Sequence, residues 1–181
     1  MKRLRIIVLA SAIALSTLSA NAQSSVPAPS PKVVGDWTVT VTVSPQQQAP
    51  IVIAESRSRK DIESLFGRRT FLTMRIMCEA NNTSLVFDFG ENFMSDIGAY
   101  GSLSYSVDGA APAVLVLKKT VDNHGLGLLS GRESIPVIQG LFATTQLTLT
   151  ATTYQDRTIS AVIPTKGLEE AVAPLRAACN W

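Results

Sequence analysis

FLTMRIMCEANNTSLVFDF, residues 71–89, is the stretch of the sequence that decides the fold. In its first half an apolar side chain recurs at every second position, as Leu72, Met74, Ile76 and Cys78. This alternation is typical of a strand that buries one face. TSLVFDF predicts a second strand, and the Asn81–Asn82 pair before it predicts a turn. The stretch therefore predicts two neighbouring strands at the centre of a β-rich protein.

Further strand-like segments lie on both sides of this pair. GDWTVTVTV alternates apolar and threonine side chains, with Trp37, Val39, Val41 and Val43 on the predicted inner face. PIVIAES predicts another strand. Asp108–Gly109 predicts a hairpin in GSLSYSVDGAAPAVLVLKK, and Gln155–Asp156 separates TTQLTLTATTY from RTISAVIP as a second one.

Three segments have helical features. RSRKDIESLFGRR carries Ile62, Leu65 and Phe66 at helical spacing, with Gly67 as its predicted end. ESIPVIQGLF predicts a short helix, and residues 120–131 before it are predicted to be a loop. Residues 167–178 predict a final helix that either kinks or begins a new turn at Pro174. Together the segments predict a mostly β (α+β) fold, an antiparallel β-sandwich or curled sheet with two or three short helices.

The first 22 residues have the layout of a cleaved signal peptide. Cations precede an apolar run from Ile6 to Leu18, and Ala20-Asn21-Ala22 is a small-x-small cleavage site. Residues 23–33 are predicted to be a Pro/Ser-rich leader, and residues 34–181 a single β-rich domain. Loss of three cations with the signal leaves 13 Lys and Arg against 14 Asp and Glu. The exported form is therefore predicted to bind no nucleic acid. No later apolar segment reaches the length of a membrane span, so none is predicted after cleavage.

The only two cysteines are predicted to form a disulfide. On the last helix an apolar stripe runs through Leu168, Val172, Leu175 and Cys179. Cys78 lies on the inner face of its strand, so both sulfurs face the core. One pair of core-facing cysteines in an oxidising compartment indicates a disulfide that joins the C-terminal helix to the sheet. A metal or redox site is the alternative, and the lack of CxxC spacing and the single histidine disfavour it. No metal or cofactor is predicted.

Candidate catalytic groups are few, and no catalytic residue is predicted. His124 is the only histidine, and no GxSxG motif accompanies it. Asp88, Glu91 and Asp96 form an acidic cluster that could serve a glycan-cleaving reaction, although loop acids more often cap turns. Trp37, Asp88 and Trp181 are the candidate partner or packing residues. Trp37 is expected in the core, and for Trp181 packing is favoured over an exposed anchor.

Four stretches resemble the TagO/VasI family, accessory proteins associated with type VI secretion in Gram-negative bacteria. They are GDW at 35–37, RTFLTMRIMCEANNTSLVFDFG at 69–90, LSYSVDG at 103–109 and GLEEAVAPLRAACNW at 167–181. The last is the most specific, because the family's terminal signature carries cysteine and tryptophan at this spacing. The chain departs from the family pattern where Ser106 follows Tyr105 in place of arginine, and it lacks a tryptophan after the hairpin. GDW alone is also similar to the invasion-associated locus B family.

The resemblance implies a non-enzymatic periplasmic accessory protein, with secretion-apparatus or other envelope proteins as partners. Two alternatives stay open from the sequence. One is an envelope protein that binds or modifies peptidoglycan through Asp88 or Glu91, and the other is an exported host-interaction factor.

Overall fold

The computed structural model describes residues 30–44 and 49–181. The predicted signal peptide and residues 23–29 of the predicted leader lie outside the described residues. The strands are β1 Lys32–Val34, β2 Trp37–Val43, β3 Pro50–Glu63, β4 Arg69–Glu79, β5 Asn82–Asp88, β6 Ser102–Val107, β7 Ala113–Val116, β8 Lys118–Lys119, β9 Gly125–Leu128, β10 Gln146–Thr152 and β11 Thr158–Pro164. The helices are α1 Gly131–Gly140, α2 Leu168–Ala171 and α3 Ala173–Cys179, with a short 3₁₀ helix at Gly98–Gly101.

The strands form two antiparallel sheets, which confirms the predicted mostly β fold with short helices. Sheet A has the order β1-β2-β3-β4-β5-β9-β8, and sheet B has the order β11-β10-β6-β7. Their inner faces contribute to one hydrophobic core, in which Met74 and Phe87 come from sheet A and Leu103 and Leu149 from sheet B. Helices α2 and α3 contact β2, β3 and β4, while α1 contacts β5 and β9.

The hairpin of β4 and β5 carries the inner face that the sequence predicted. Leu72, Met74 and Ile76 are fully buried, and Cys78 is nearly so. The turn, however, lies one residue earlier than predicted, at Ala80–Asn81, where both residues have positive φ. Asn82 pairs with Glu79 and already belongs to β5. Matched inward faces set this register, since a shift by one residue would turn every buried side chain outward.

The prediction of a helix in RSRKDIESLFGRR is wrong, because β3 continues through most of this segment. Strand β3 pairs with β4 as far as Glu63, with one irregularity between Arg57 and Asp61. Its inward positions carry Ser56 and Ser58, whose hydroxyl groups donate to the carbonyls of Pro164 (3.2 Å) and Lys60 (2.7 Å). Buried serines replace the apolar residues that would have shown the period of two.

A strand also lies inside residues 120–131, which were predicted to be a loop. Strand β9 pairs with β5 on one side and β8 on the other, and all four of its residues are buried. Its sequence is GLGL, and glycine weakens strand signals. Here the two glycines are required by close backbone contact: a Cβ on Gly127 would lie 2.6 Å from the carbonyl oxygen of Leu85.

The N-terminal region differs from prediction at two points. Strand β1 begins at Lys32, two residues inside the predicted leader, and pairs with β2. Trp37 and Val39 are buried as predicted, but Val41 and Val43 are 44% and 64% exposed. The buried face of β2 therefore ends at Val39.

The C-terminal helix and its disulfide follow the prediction. Two short helices, α2 and α3, meet at Val172, with Pro174 at the start of the second. The predicted apolar stripe is buried, as Leu168, Val172, Leu175 and Cys179. Cys179 is disulfide-bonded to Cys78, with the two Cα atoms 5.9 Å apart. Among the described residues, none of the helices has the length and apolar character needed to cross a membrane.

Candidate functional site

Two of the three acidic residues singled out from the sequence, Asp88 and Glu91, are engaged within the chain, and Asp96 is half-buried in the segment that follows them. One carboxylate oxygen of Asp88 accepts a 2.8 Å hydrogen bond from the Gly90 amide, and the other lies 3.8 Å from an Arg75 guanidinium nitrogen. Glu91 forms an exposed ion pair with Arg68. These contacts shape the turn after β5. Over residues 30–44 and 49–181, no group of three or more His, Cys, Asp or Glu side chains is arranged to hold a metal ion.

The segment after this turn, residues 89–97, is held at several points by backbone bonds to two other loops. The Phe89 amide donates to the carbonyl of His124 at 2.9 Å, and the Met94 amide donates to Asn123 at 2.7 Å. From the β10–β11 turn, the Tyr154 amide donates to the carbonyl of Phe93 at 2.8 Å. The segment thus has a defined path although it belongs to neither sheet.

This path turns apolar side chains outward. Asn92 and Met94 are 1% and 2% exposed, and the Asn92 side-chain amide donates to the carbonyls of Glu63 and Phe89. Phe93, between these two anchors, is 40% exposed, and Ile97 is 71% exposed. Burial of its neighbours therefore fixes Phe93 at the surface.

Aromatic rings from the adjoining loops extend this apolar region. His124 lies against Phe93, with ring centroids 5.2 Å apart, and Tyr154 lies 5.6 Å from Tyr100. Tyr100 Oη donates a 2.7 Å hydrogen bond to Asp156, and this bond raises the pKa of Tyr100 above its ordinary value. We call this region the aromatic surface; its members are Phe93, Ile97, Tyr100, His124 and Tyr154.

A shallow depression of about 240 Å³ lies within the aromatic surface. Phe93, Ile97 and Tyr154 line it together with Met94, Ser95, Lys119 and Asn123. Lys119 Nζ donates to the side-chain oxygen of Asn123 at 2.7 Å, so a cation and an amide stand beside the rings. The arrangement offers apolar contact area with hydrogen-bonding groups beside it, a combination typical of protein-binding surfaces.

Larger depressions lie elsewhere but have less of this character. One of about 750 Å³ beside α2 is lined chiefly by small and polar side chains, with the exposed acids Glu169 and Glu170. Another, of about 600 Å³, is lined by mixed charges of β2 and β3, including Glu55 and Arg57. Neither of these two depressions has an aromatic side chain in its lining, whereas Phe93 and Tyr154 line the depression in the aromatic surface.

Sequence reasoning considered one member of this surface, His124, and missed the other four. Tyr100 and Tyr154 are 54 positions apart in the sequence, and no local pattern brings them together. The available signal was FMSDIGAY, in which Phe93, Ile97 and Tyr100 occur in a segment without a strand or helix period.

The two tryptophans differ in burial. Trp37 is fully buried, and its indole N–H has no hydrogen-bond partner among the described residues. Trp181 is half-buried against the core, with its indole N–H donating to Thr83 Oγ1 at 2.9 Å. The Arg176 guanidinium lies 5.3 Å from the centre of the Trp181 ring. Both tryptophans therefore make packing contacts.

Comparison with solved structures identifies this fold. The structure is similar to that of invasion-associated protein B from Bartonella henselae, with a TM-score of 0.51 and 13% sequence identity, over 83% of this chain and 99% of that one. The chain shares the fold of an invasion-associated protein B. A scan against protein-family profiles found no match, and a comparison with curated proteins found none either.

Proposed function

We propose that this protein is an exported, non-enzymatic binding protein of the cell envelope that contacts a protein partner through the aromatic surface. One observation carries the proposal. Phe93, Ile97 and Tyr154, from two separate loops, are held side by side at the surface of a disulfide-linked β scaffold.

The energetic argument rests on exposure and on fixed geometry. Tyr154 is 58% exposed and Ile97 is 71% exposed, so a partner that covers them removes apolar surface from water. Aromatic residues are enriched among the side chains that contribute most to binding. Because backbone bonds already fix residues 89–97, little conformational entropy is lost when the partner binds.

The resemblance to TagO/VasI proteins supports an accessory role in type VI secretion and a periplasmic location. It is carried most strongly by GLEEAVAPLRAACNW, whose cysteine and tryptophan both attach to the β4–β5 hairpin. A disulfide fits an oxidising compartment outside the cytoplasm. The partner in this proposal is a secretion-apparatus subunit or another envelope protein.

A second candidate function is that of an exported host-interaction factor. The observation that favours it is the shared fold with the invasion-associated protein of Bartonella henselae. Both functions require export and a binding surface. They differ in where the partner is located, in the bacterial envelope or on a host cell.

The peptidoglycan alternative has weaker support, because the carboxylates it would use are engaged. Asp88 is bonded to the Gly90 amide and Glu91 to Arg68. Asp88→Asn and Glu91→Gln should therefore leave any action on purified cell wall unchanged. Loss of such an action in these variants would favour the alternative.

The main experiment is a crosslinking pulldown of the tagged exported form from its own periplasm, with mass spectrometry of what is captured. Phe93→Ser/Ile97→Ser should reduce capture of the partner at least ten-fold. Val33→Ser is the matched control, since Val33 is 70% exposed on β1. Strand β1 lies at the opposite edge of sheet A from β8, whose Lys119 lines the depression in the aromatic surface. Equal capture by both variants would refute the role of the aromatic surface. Capture of peptidoglycan fragments alone would favour the peptidoglycan alternative. Recovery of the protein from the culture medium, and not from the periplasm, would favour the host-interaction function.

A further inference from the structure

The edges of the two sheets are protected to different degrees. An edge strand presents unpaired backbone groups, and proteins discourage pairing there with charges or by covering the edge. In sheet A, β1 begins with Lys32 and β8 consists of Lys118 and Lys119. In sheet B, β11 contacts β3, whose Arg59 and Lys60 border it. Strand β7 is different, because its sequence AVLV carries no charge.

The side chains of β7 are also exposed and apolar. Val114 is 64% exposed and Val116 is 74% exposed. They lie opposite Ser104 and Ser102 of β6, on the outer face of sheet B. Leu115 lies opposite the buried Leu103 and contacts the core. The edge is thus a neutral apolar ribbon on its outer face.

The pattern of backbone bonds shows which groups of β7 are free to pair. The Leu117 amide donates to the carbonyl of Gly101 at 2.8 Å, continuing the register in which Leu115 faces Leu103. Both backbone groups of a strand residue point to the same side, and successive residues alternate. Residues 113, 115 and 117 therefore direct their backbone N–H and C=O groups to β6. Val114 and Val116 direct theirs to the open edge.

We propose that β7 pairs in antiparallel orientation with β7 of a second copy of this chain. The two-fold axis passes midway between Leu115 of one copy and Leu115 of the other. In this register Val114 lies opposite Val116 of the second copy, and Val116 lies opposite its Val114. Each outer-face valine meets an outer-face valine, and the outward backbone groups of both strands form four hydrogen bonds. The two four-stranded sheets then form one continuous sheet of eight strands.

The flanking residues select this register and limit its length. With Val114 opposite itself, Val116 would face Pro112, which has no N–H to donate. In the proposed register Pro112 instead lies opposite Lys118, beyond the last paired valine. Two such short strands bury little area, so the dimer is weak and its formation depends on protein concentration.

The pairing is tested by sedimentation of the exported form over a range of concentrations, which should show a monomer–dimer equilibrium. Val114→Lys/Val116→Lys places like charges opposite each other across the two-fold axis and should weaken dimerisation at least ten-fold. Val114→Lys/Val116→Glu places opposite charges there and should restore it to near the wild-type value. Thermal unfolding checks that both variants fold, as expected for exposed positions.

Three results would overturn the proposal. One is a wild-type protein that stays monomeric to millimolar concentration. The second is a Lys/Lys variant that dimerises as the wild type does. The third is a Lys/Glu variant as weak as the Lys/Lys variant, since that would exclude this register. Each is independent of partner capture by the aromatic surface.

Discussion

Trp181 donates its indole N–H to Thr83 Oγ1 at 2.9 Å, and Thr83 lies directly opposite Cys78 in the β4–β5 ladder. Since Cys78 is bonded to Cys179, the C-terminal residues are attached to both strands of the central hairpin. The disulfide reaches β4 and the tryptophan reaches β5. Asn180 adds a 3.1 Å hydrogen bond to Asn81 in the turn between them.

Removing the disulfide should destabilise the protein strongly. It joins residues 101 positions apart, and closing a loop of this length contributes about 4.7 kcal/mol in the chain-entropy model. We expect Cys78→Ser/Cys179→Ser to lower the free energy of unfolding by roughly 2–5 kcal/mol in urea titrations. The control is the wild type with reductant, which should match the variant. An unchanged unfolding midpoint in the double variant would contradict a stabilising role.

The hydrogen bond from Trp181 to Thr83 should make a smaller, separable contribution. Trp181→Phe keeps an aromatic ring but removes the donor, and Thr83→Val removes the hydroxyl at a site that is 1% exposed. A double-mutant cycle should give a coupling free energy of about 1 kcal/mol in chemical denaturation. Fully additive single effects would show that the bond contributes nothing.

Gly127 of β9 should not tolerate a methyl group. A Cβ there would lie 2.6 Å from the carbonyl oxygen of Leu85 and 2.9 Å from a methyl carbon of Val86. Gly127→Ala should lower the free energy of unfolding by about 1–3 kcal/mol. Gly140→Ala is the matched control, because a Cβ at the end of α1 meets no atom within 4 Å. That variant should be as stable as the wild type or up to about 1 kcal/mol more stable; the opposite ranking would contradict the packing of β9 on β5.

Acidification should weaken the contact between the β6–β7 turn and β10. Asp108 accepts hydrogen bonds from the Thr145 hydroxyl and from the amides of Thr145 and Gln146, and these lower its pKa below the ordinary 3.8. A carboxylate whose pKa falls on folding contributes stability above its unfolded pKa and loses it as pH falls toward the folded value. Stability should therefore decline below about pH 4.

Asp108→Asn tests this pH dependence. Asparagine tolerates the positive φ of 49° found at this position but does not titrate. The urea midpoint of the variant should fall less between pH 7 and pH 3 than that of the wild type. Equal falls would assign the acid sensitivity to other carboxylates, such as Asp61 and Asp122, whose pKa values are also lowered.

Several features of this protein were readable from the sequence because they depend on local alternation. The period of two in FLTMRIMC and the stripe through Leu168 and Cys179 placed both cysteines toward the core, and the disulfide followed from that placement. The Asp108–Gly109 hairpin was readable because both residues adopt positive φ, a backbone state that few residue types favour. In these places the local preference and the packed structure agree.

Other features were decided only by tertiary structure. Ser56 and Ser58 occupy buried strand positions because their hydroxyl groups donate hydrogen bonds to the carbonyls of Pro164 and Lys60. A segment with helical spacing is therefore part of β3. Gly127 lies in a strand because β5 leaves no room for a side chain. The aromatic surface exists because backbone bonds bring residues 89–97 beside the β10–β11 turn. Contacts between residues distant in sequence determine these features, and such contacts leave no period in the sequence.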